Sequence, residues 1–321
     1  MNRSFDIFAD SAANLTDEMV AETGIKIIPF HYIINGEERP CYKEGIPFAQ
    51  IAKEFYTELA KGTDIKTSLV CEQEFIDAVA PSLEAGRDAI IVTITEGLSG
   101  TFAQAMKASQ TLKEKFPERK VFVVDSVNAS LGEGYLAYLA AKMRDNGATI
   151  DECDTWLEEN KYLYNSYVTV NDLKYLRKSG RVSTIAAVAG AILNIKPMLK
   201  ADGGSPATLK VYAKERGRKK SVDALLKAFS EYAGEGFADT VCITHGDCED
   251  EAKALAEEFK KRGATKVFIE YYDLCTGSHV GPGTLAVFFF GKDRRTPQEV
   301  AEHKKRLSFL RRKQPHVDGV S

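Results

Sequence analysis

Short buried strands alternate with amphipathic helices along most of this chain of 321 residues. The segment from Asp88 to Thr95 is short and rich in β-branched residues, as strands buried on both faces usually are. A strand from Phe5 to Ala9 and a strand–helix–strand unit from Thr240 to Tyr271 follow the same pattern. The alternation predicts an α/β fold whose parallel sheet carries helices on both faces.

The length of the chain predicts two domains, at roughly 150 residues per domain. We expect an N-terminal α/β domain with a parallel sheet over residues 1–160 and a C-terminal α/β domain over residues 161–295. Residues 296–321 read as a helix with a polar, basic tail. The segment from Ile25 to Ile34 reads as one strand, at an edge or bent because it contains Pro29.

Composition and short motifs exclude several classes of function. Lys and Arg total 43 against 46 Asp and Glu, so the net charge of −3 gives no footprint for nucleic acid or for a membrane surface. The chain shows no secretory signal and no apolar run long enough for a transmembrane segment, so we expect a cytoplasmic protein. Without a CxxC pair, an HExxH motif or a phosphate-binding loop, we expect no metal and no cofactor.

Hydroxyl-bearing turns follow several of the predicted strands. They are Asp10-Ser11, Thr67-Ser68, Asp125-Ser126 and the segment Gly97-Leu98-Ser99-Gly100-Thr101. Ligands of doubly wound sheets lie outside the carboxyl ends of the strands, so these turns predict a small polar pocket. Taken singly, each hydroxyl can also be explained as a turn residue, and helix capping alone is the more common role for a residue such as Ser99.

Ser99 and His279 are the two residues whose surroundings are most typical of a functional site. Ser99 stands in a near match to the nucleophile elbow GxSxG, but Thr101 replaces the last glycine. The exposed N–H groups of such a turn can hold an anion. His279 stands in a glycine-rich segment that reads as a constrained loop, where a functional and a structural role are both open. A serine hydrolase acting on acyl esters through Ser99 and His279 remains an alternative, although no acidic third member is evident.

The order and spacing of these motifs resemble the DegV family, the fatty-acid-binding proteins of bacteria. The resemblance extends to about residue 292. The segments that carry it are Asp10-Ser11 with Leu15, Thr67-Ser68, Gly97-Leu98-Ser99-Gly100-Thr101, Asp125-Ser126 with Gly132 and Gly134, Asp172-Leu173 with Tyr175-Leu176 and Gly180-Arg181, Lys196-Pro197, and His279-Val280-Gly281-Pro282-Gly283.

The resemblance implies a two-domain protein with a long-chain fatty acid buried in a tunnel between the domains. By the same resemblance the fatty-acid carboxylate is held by hydroxyl, backbone, histidine and arginine groups. These are Thr67, Ser68, Ser99, Gly100, Thr101, His279 and either Arg216 or Arg218. One departure concerns the family's TSxPS motif, since this chain reads Thr67-Ser68-Leu69-Val70-Cys71 and lacks the proline.

The resemblance also implies a partner. Some family members are the acyl-carrier subunit of a fatty acid kinase, whose catalytic subunit is related to dihydroxyacetone kinases. That partner phosphorylates the bound carboxylate to an acyl phosphate for phospholipid metabolism. On this reading the chain is a carrier without catalytic residues of its own. The basic turn with Arg177, Lys178 and Arg181 is then a candidate docking surface, or else a solvated face.

A fatty acid imposes two physical requirements on its site. The tail needs apolar lining, which residues 185–193 (IAAVAGAIL) and 285–290 (LAVFFF) could supply. The carboxylate is very costly to bury alone. Hydroxyl donors, a helix N-terminus, and a protonated histidine or an arginine would offset that cost.

Overall fold

A computed structural model describes residues 3–182, 194–233 and 239–313, with side chains as far as residue 305. The strands in these ranges are β1 (Phe5–Asp10), β2 (Lys26–Ile28), β3 (His31–Ile34), β4 (Glu37–Pro40), β5 (Ile65–Ser68), β6 (Asp88–Thr93), β7 (Val121–Asp125), β8 (Tyr164–Thr169), β9 (Ile195–Ala201), β10 (Leu209–Arg216), β11 (Thr240–His245), β12 (Lys266–Tyr271) and β13 (Leu285–Phe290). The helices are α1 (Asp17–Thr23), α2 (Phe48–Ala60), α3 (Glu72–Glu84), α4 (Thr101–Lys115), α5 (Leu131–Asp145), α6 (Ile150–Asn160), α7 (Leu173–Ser179), α8 (Arg218–Tyr232), α9 (Glu249–Lys261), α10 (Leu274–Val280) and α11 (Pro297–Lys313). None of the helices in these ranges has both the length and the apolar character needed to cross a membrane.

The first sheet confirms the predicted parallel α/β arrangement. Its strand order is β2-β1-β6-β7, and every neighbouring pair is parallel. Helices α3, α4 and α5 pack against its strands. Because parallel strands end at the same edge, Asp10 at the end of β1 reaches the segment after β6. Its Oδ2 accepts a hydrogen bond from the backbone N–H of Ile94 at 2.9 Å.

The second sheet is mixed and contains the C-terminal strands. Its order is β10-β9-β8-β13-β11-β12, and only β11 and β12 are parallel neighbours. Helix α9 connects that pair, which confirms the predicted strand–helix–strand unit. The α/β class with a second sheet domain is therefore confirmed.

A third, small antiparallel sheet corrects two predictions about the N-terminal half. Its order is β4-β3-β5. The prediction of one strand from Ile25 to Ile34 was wrong, because β2 joins the first sheet and β3 joins the third. Pro29, which has no backbone N–H to donate, lies at the break between them. Thr67 and Ser68, predicted as a turn, lie instead on β5.

The prediction of a loop around His279 was also wrong, because this residue lies in the last turn of α10. Asp273 starts the helix, and its Oδ1 accepts hydrogen bonds from the backbone N–H groups of Cys275 at 2.8 Å and Thr276 at 3.0 Å. Helix α10 packs against α7, α2, β3 and β5. This packing places His279 beside the third sheet.

Candidate functional site

Residues from three distant parts of the chain line one internal cavity. Thr67 on β5, Ser99 before α4 and His279 on α10 all contribute to its wall, and so do Ser68 and Gly100. The cavity, called the main cavity below, has a volume of about 260 Å³. The structure thus brings five of the predicted carboxylate-binding residues together at one place.

Thr67 and His279 are in direct contact inside this cavity. The hydroxyl oxygen of Thr67 lies 3.1 Å from Nε2 of His279. Strand β5 holds Thr67 in register with Tyr32 of β3, while the capped helix α10 holds the histidine. The pair forms a polar end for the cavity, built by two elements that pack on each other.

The imidazole of His279 is neutral at pH 7. Burial, together with the positive charges of Arg181 and Lys178, lowers the pKa of His279 to about 4. A neutral imidazole offers one N–H donor rather than a positive charge. The sequence predicts a protonated histidine or an arginine near the carboxylate. Because His279 is neutral, an arginine is the group that can supply the positive charge.

Arg181 is the arginine that lines the main cavity, whereas Arg216 and Arg218, the two expected from the resemblance, are not among its lining residues. Arg216 is exposed at the end of β10, where residues alternate in exposure, and it does not line the cavity. Arg218 starts α8 and pairs with Glu251 at 2.7 Å. Arg181 lines the main cavity because Gly180, with a φ of +65°, ends α7 and turns the chain there. The sequence already contains the Ser179-Gly180-Arg181 turn, which could have identified Arg181 as a candidate.

The turn around Ser99 joins β6 to α4. The Ser99 hydroxyl lies 2.9 Å from the Thr101 hydroxyl and accepts the backbone N–H of Thr101 at 3.3 Å. Thr101 is fully buried and does not line the cavity, unlike its neighbours Ser99 and Gly100. Gly100 is the N-cap of α4, whose first turn contains no acidic residue. The helix N-terminus therefore favours an anion at this end of the cavity.

Apolar side chains form most of the remaining wall. They come from the first sheet region, from α7 and α10, and from β10, and they are Ala12, Phe30, Ile94, Leu98, Leu176, Val182, Leu209 and Val280. The predicted apolar segment at residues 185–193 lies outside the described residues. A polar end on an otherwise apolar cavity is the arrangement that an amphiphile with a small anionic head requires.

A smaller chamber adjoins the main cavity. This deep chamber has a volume of about 40 Å³ and shares part of its wall with the main cavity. The shared residues are Leu98, Leu209, Thr276 and Val280. Phe288, from the predicted apolar strand at residues 285–290, lines the deep chamber. The two spaces together extend from the third sheet toward the second sheet.

A wider groove of about 570 Å³ lies outside the polar end of the main cavity. The two spaces share Thr67, Ser179, Arg181 and His279, which therefore mark the mouth. We call this space the basic groove, after its cations Lys66, Lys174, Lys178 and Arg181. Lys178 pairs with Asp64, and Lys174 lies 3.2 Å from Asp172. Arg177 is exposed on α7 beside the basic groove without lining it.

The geometry does not assemble a serine hydrolase. Ser99 is hydrogen-bonded to Thr101 and His279 to Thr67, and no hydrogen bond within the described ranges joins Ser99 to His279. A nucleophile and its base need such a contact. In the same ranges, no group of three or more His, Cys, Asp or Glu side chains is arranged to hold a metal ion.

Comparison with known proteins gives consistent matches over nearly the whole chain. The model of the DegV family, described as uncharacterised, matches residues 4–292. A DegV domain-containing protein of Clostridium perfringens is 36% identical over 296 residues, which cover 92% of this chain and 100% of that relative.

Two solved structures share the fold. A DegV family protein from Thermus thermophilus, described by its fatty acid binding, superposes with a TM-score of 0.79 at 26% identity, covering 90% of this chain and 100% of the other. DegV from Bacillus subtilis, described as a fatty acid binding protein, has a TM-score of 0.76 at 26% identity, with 91% and 100% covered.

Proposed function

Because the chain belongs to the DegV family, we propose that it binds a long-chain fatty acid, with the carboxylate at the mouth and the tail in the main cavity. The observation that carries the proposal is that Thr67, Ser99 and His279, from three distant parts of the chain, all line one largely apolar cavity. The fatty acid binding described for the two similar structures supports the same conclusion.

The head group is held by donors rather than by a buried ion pair. The hydroxyls of Thr67 and Ser99, one N–H of the neutral His279 and the N-terminus of α4 can all donate to a carboxylate. Arg181 adds the positive charge at the mouth, where solvent still reaches it. This arrangement compensates for the desolvation of the carboxylate without placing a second charge in the interior.

The tail supplies most of the affinity. Each methylene removed from water contributes about 0.8 kcal/mol, so a tail of about 15 methylenes gains up to about 12 kcal/mol before the costs of association. The head-group residues therefore determine orientation, and their loss weakens binding without abolishing it.

Native mass spectrometry of the purified chain tests this proposal. We expect a fatty acid to co-purify, and we expect Ser99→Ala and Thr67→Ala to lower its retention while the fold is unchanged by circular dichroism. Ser230→Ala, on the exposed side of α8, is the matched control and should retain the ligand fully. An empty protein that also ignores added fatty acids would contradict the proposal, and unchanged retention in the Ser99→Ala, Thr67→Ala double variant would move the head-group site elsewhere.

We further propose that the chain presents the fatty-acid carboxylate to a kinase of the dihydroxyacetone-kinase type, which forms an acyl phosphate. The shared mouth supports this, because a carboxylate held there faces the basic groove rather than the interior. Cations around the basic groove would favour the negative charge that develops during phosphoryl transfer. Arg177 and Lys178 are exposed beside this opening and are the proposed docking residues.

Reconstitution with a candidate kinase, ATP and the loaded chain tests the presentation step. Hydroxylamine traps an acyl phosphate as a hydroxamate, which can be counted directly. We expect Arg177→Glu with Lys178→Glu to slow hydroxamate formation while fatty-acid retention stays unchanged. Equal rates for the wild type and this variant would exclude α7 as the docking surface.

A further inference from the structure

The side chains inside the mouth are hydrogen-bond donors without a full charge. They are the hydroxyls of Thr67 and Ser99 and the imidazole of His279, which is neutral at pH 7. Groups of this kind donate to a neutral carbonyl oxygen as well as to a carboxylate. The N-terminus of α4 adds only a partial positive charge, which a carbonyl oxygen also satisfies. The inner side of the mouth therefore accepts the carbonyl group of an acyl ester as well as a free carboxylate.

Full positive charge is concentrated on the outer side of the mouth, in the basic groove. Four cations line the groove, and no Asp or Glu within the described ranges does. Asp64 and Asp172 each pair with one of its lysines, whereas no ion pair in the same ranges involves Lys66 or Arg181. Two of the four positive charges are therefore left uncompensated by the protein, and these charges favour an anion in the groove.

The basic groove is accessible and larger than a carboxylate requires. The side chains of Lys66, Lys174 and Lys178 are exposed, so a ligand in the groove reaches their ammonium groups. The groove has a volume of about 570 Å³, against about 260 Å³ for the main cavity. A carboxylate at the mouth fills little of this space, so the groove has room for a larger head group.

We propose that the chain also binds lysophosphatidate, a single-chain lipid in which a glycerol phosphate follows the acyl ester. The acyl tail occupies the main cavity, the ester carbonyl accepts hydrogen bonds at the mouth, and the phosphate lies among the cations of the basic groove. A phosphate monoester carries about −1.5 to −2 charges at pH 7, which matches the uncompensated positive charge there. The inference rests on the proposed function, because the tail needs the same cavity, and it assigns a second ligand class and a phosphate subsite outside the mouth.

The test compares lysophosphatidate with a monoacylglycerol that has the same acyl chain, by competition with a fluorescent fatty acid for the delipidated full-length chain. The two lipids differ only in the phosphate. At low ionic strength we expect lysophosphatidate to bind about tenfold or more tightly, because its phosphate makes charge-assisted contacts in the groove. The ratio of the two affinities should fall as salt is added, because exposed charges are screened.

Two charge reversals at exposed positions separate the groove from the overall charge of the chain. Lys66→Glu replaces an uncompensated cation of the groove and should lower the ratio of the two affinities by about threefold to tenfold. Lys107→Glu, on α4 and outside the groove, changes the net charge equally and should leave the ratio within about twofold. The comparison of the two lipids on the wild type does not depend on either variant.

Equal affinities for lysophosphatidate and the monoacylglycerol at low ionic strength would overturn the assignment. A ratio that Lys66→Glu and Lys107→Glu lower to the same extent would overturn it as well, because the attraction would then not come from the groove. If fatty acids bind and neither glycerolipid does, the mouth accepts no ester and only this inference is wrong. If no fatty acid binds, the proposed function fails and this inference fails with it.

Discussion

Replacing Glu133 with glutamine tests a cluster of buried acids that lies behind the main cavity. Asp10 and Asp273 are fully buried with it, and both lie close enough for their charges to act on Glu133. Asp10 accepts a hydrogen bond from the backbone N–H of Ile94, and Asp273 caps the helix that contains Thr276. The cluster therefore stabilises two parts of the cavity wall. Its protonation should therefore affect both stability and ligand retention.

The pH dependence follows from the direction of the pKa shifts. Burial raises the pKa of Asp10 from 3.8 to about 7, with a smaller contribution from the charge of Asp273, whose own pKa burial raises to about 6. Burial, and then the charges of Asp10 and Asp273, raises the pKa of Glu133 well above its usual range. The folded chain keeps protons that the unfolded chain has released, so the free energy of unfolding falls as the pH rises from about 4 to about 7. For Asp10 alone, the shift from 3.8 to about 7 corresponds to roughly 4 kcal/mol.

Glu133→Gln keeps the size of the side chain, but it cannot ionise. Above about pH 5, the free energy of unfolding of the variant should rise relative to that of the wild type by about 1 kcal/mol per pH unit. One proton sets the upper limit of this slope at about 1.4 kcal/mol per pH unit. Urea denaturation at several pH values, followed by circular dichroism, measures this gap. Glu114→Gln, at an exposed position on α4, is the control and should show no such slope. A difference between the wild type and Glu133→Gln that does not change with pH would refute the reasoning.

Three further predictions concern other parts of the structure. Arg181→Gln should weaken fatty-acid retention by about threefold to tenfold in native mass spectra, because it removes a charge-assisted contact, whereas Arg216→Gln should not. Gly97→Ala should cost about 1–3 kcal/mol in urea denaturation, since its β-carbon would lie 2.1 Å from the carbonyl oxygen of Ala207. Arg294→Met should cost about 3 kcal/mol or more in the same assay, because the guanidinium donates to four backbone carbonyls in three separate segments. Retention that is equal in both arginine variants, or unfolding midpoints equal to that of the wild type, would contradict the respective argument.

Local signals in the sequence predicted the fold class and a polar pocket at the strand ends, whereas the grouping of Thr67, Ser99 and His279 was implied by the family resemblance. A buried β-branched strand followed by a hydroxyl-bearing turn identifies a strand end, and parallel strands bring such ends to one edge. The sequence identified the hydroxyl of Thr67 as a candidate site group, but it did not predict that Thr67 lies on a strand. Strand β5 spans only Ile65–Ser68, and its pairing partner β3 lies far away in the sequence.

Helix α10 shows why local signals fail elsewhere. Gly277 inside the segment and Pro282 just after it lower its helix propensity, and a helix of seven residues is not stable alone. Packing against α7, α2 and the third sheet, together with the cap from Asp273, stabilises it. Local signals also do not show which arginine lines the cavity. The alternation of side chains along β10 sends Arg216 to solvent, and only the fold shows that the turn after α7 returns Arg181 to the cavity.

The inner, uncharged side of the mouth and its outer, basic side have different consequences for a bound carboxylate. Under the proposed function, the hydrogen bonds from the neutral His279 and the hydroxyls inside the cavity should change little in strength with salt, because burial excludes counterions. On the basic groove side, Arg181 and the lysines are exposed, so their attraction for the head group is screened. Raising the ionic strength should therefore lower the rate of fatty-acid capture, while the rate at which a bound fatty acid is released stays nearly constant. Stopped-flow exchange of a fluorescent fatty acid at increasing salt measures both rates. A release rate that rises with salt as steeply as the capture rate falls would place the carboxylate outside the mouth, among the lysines.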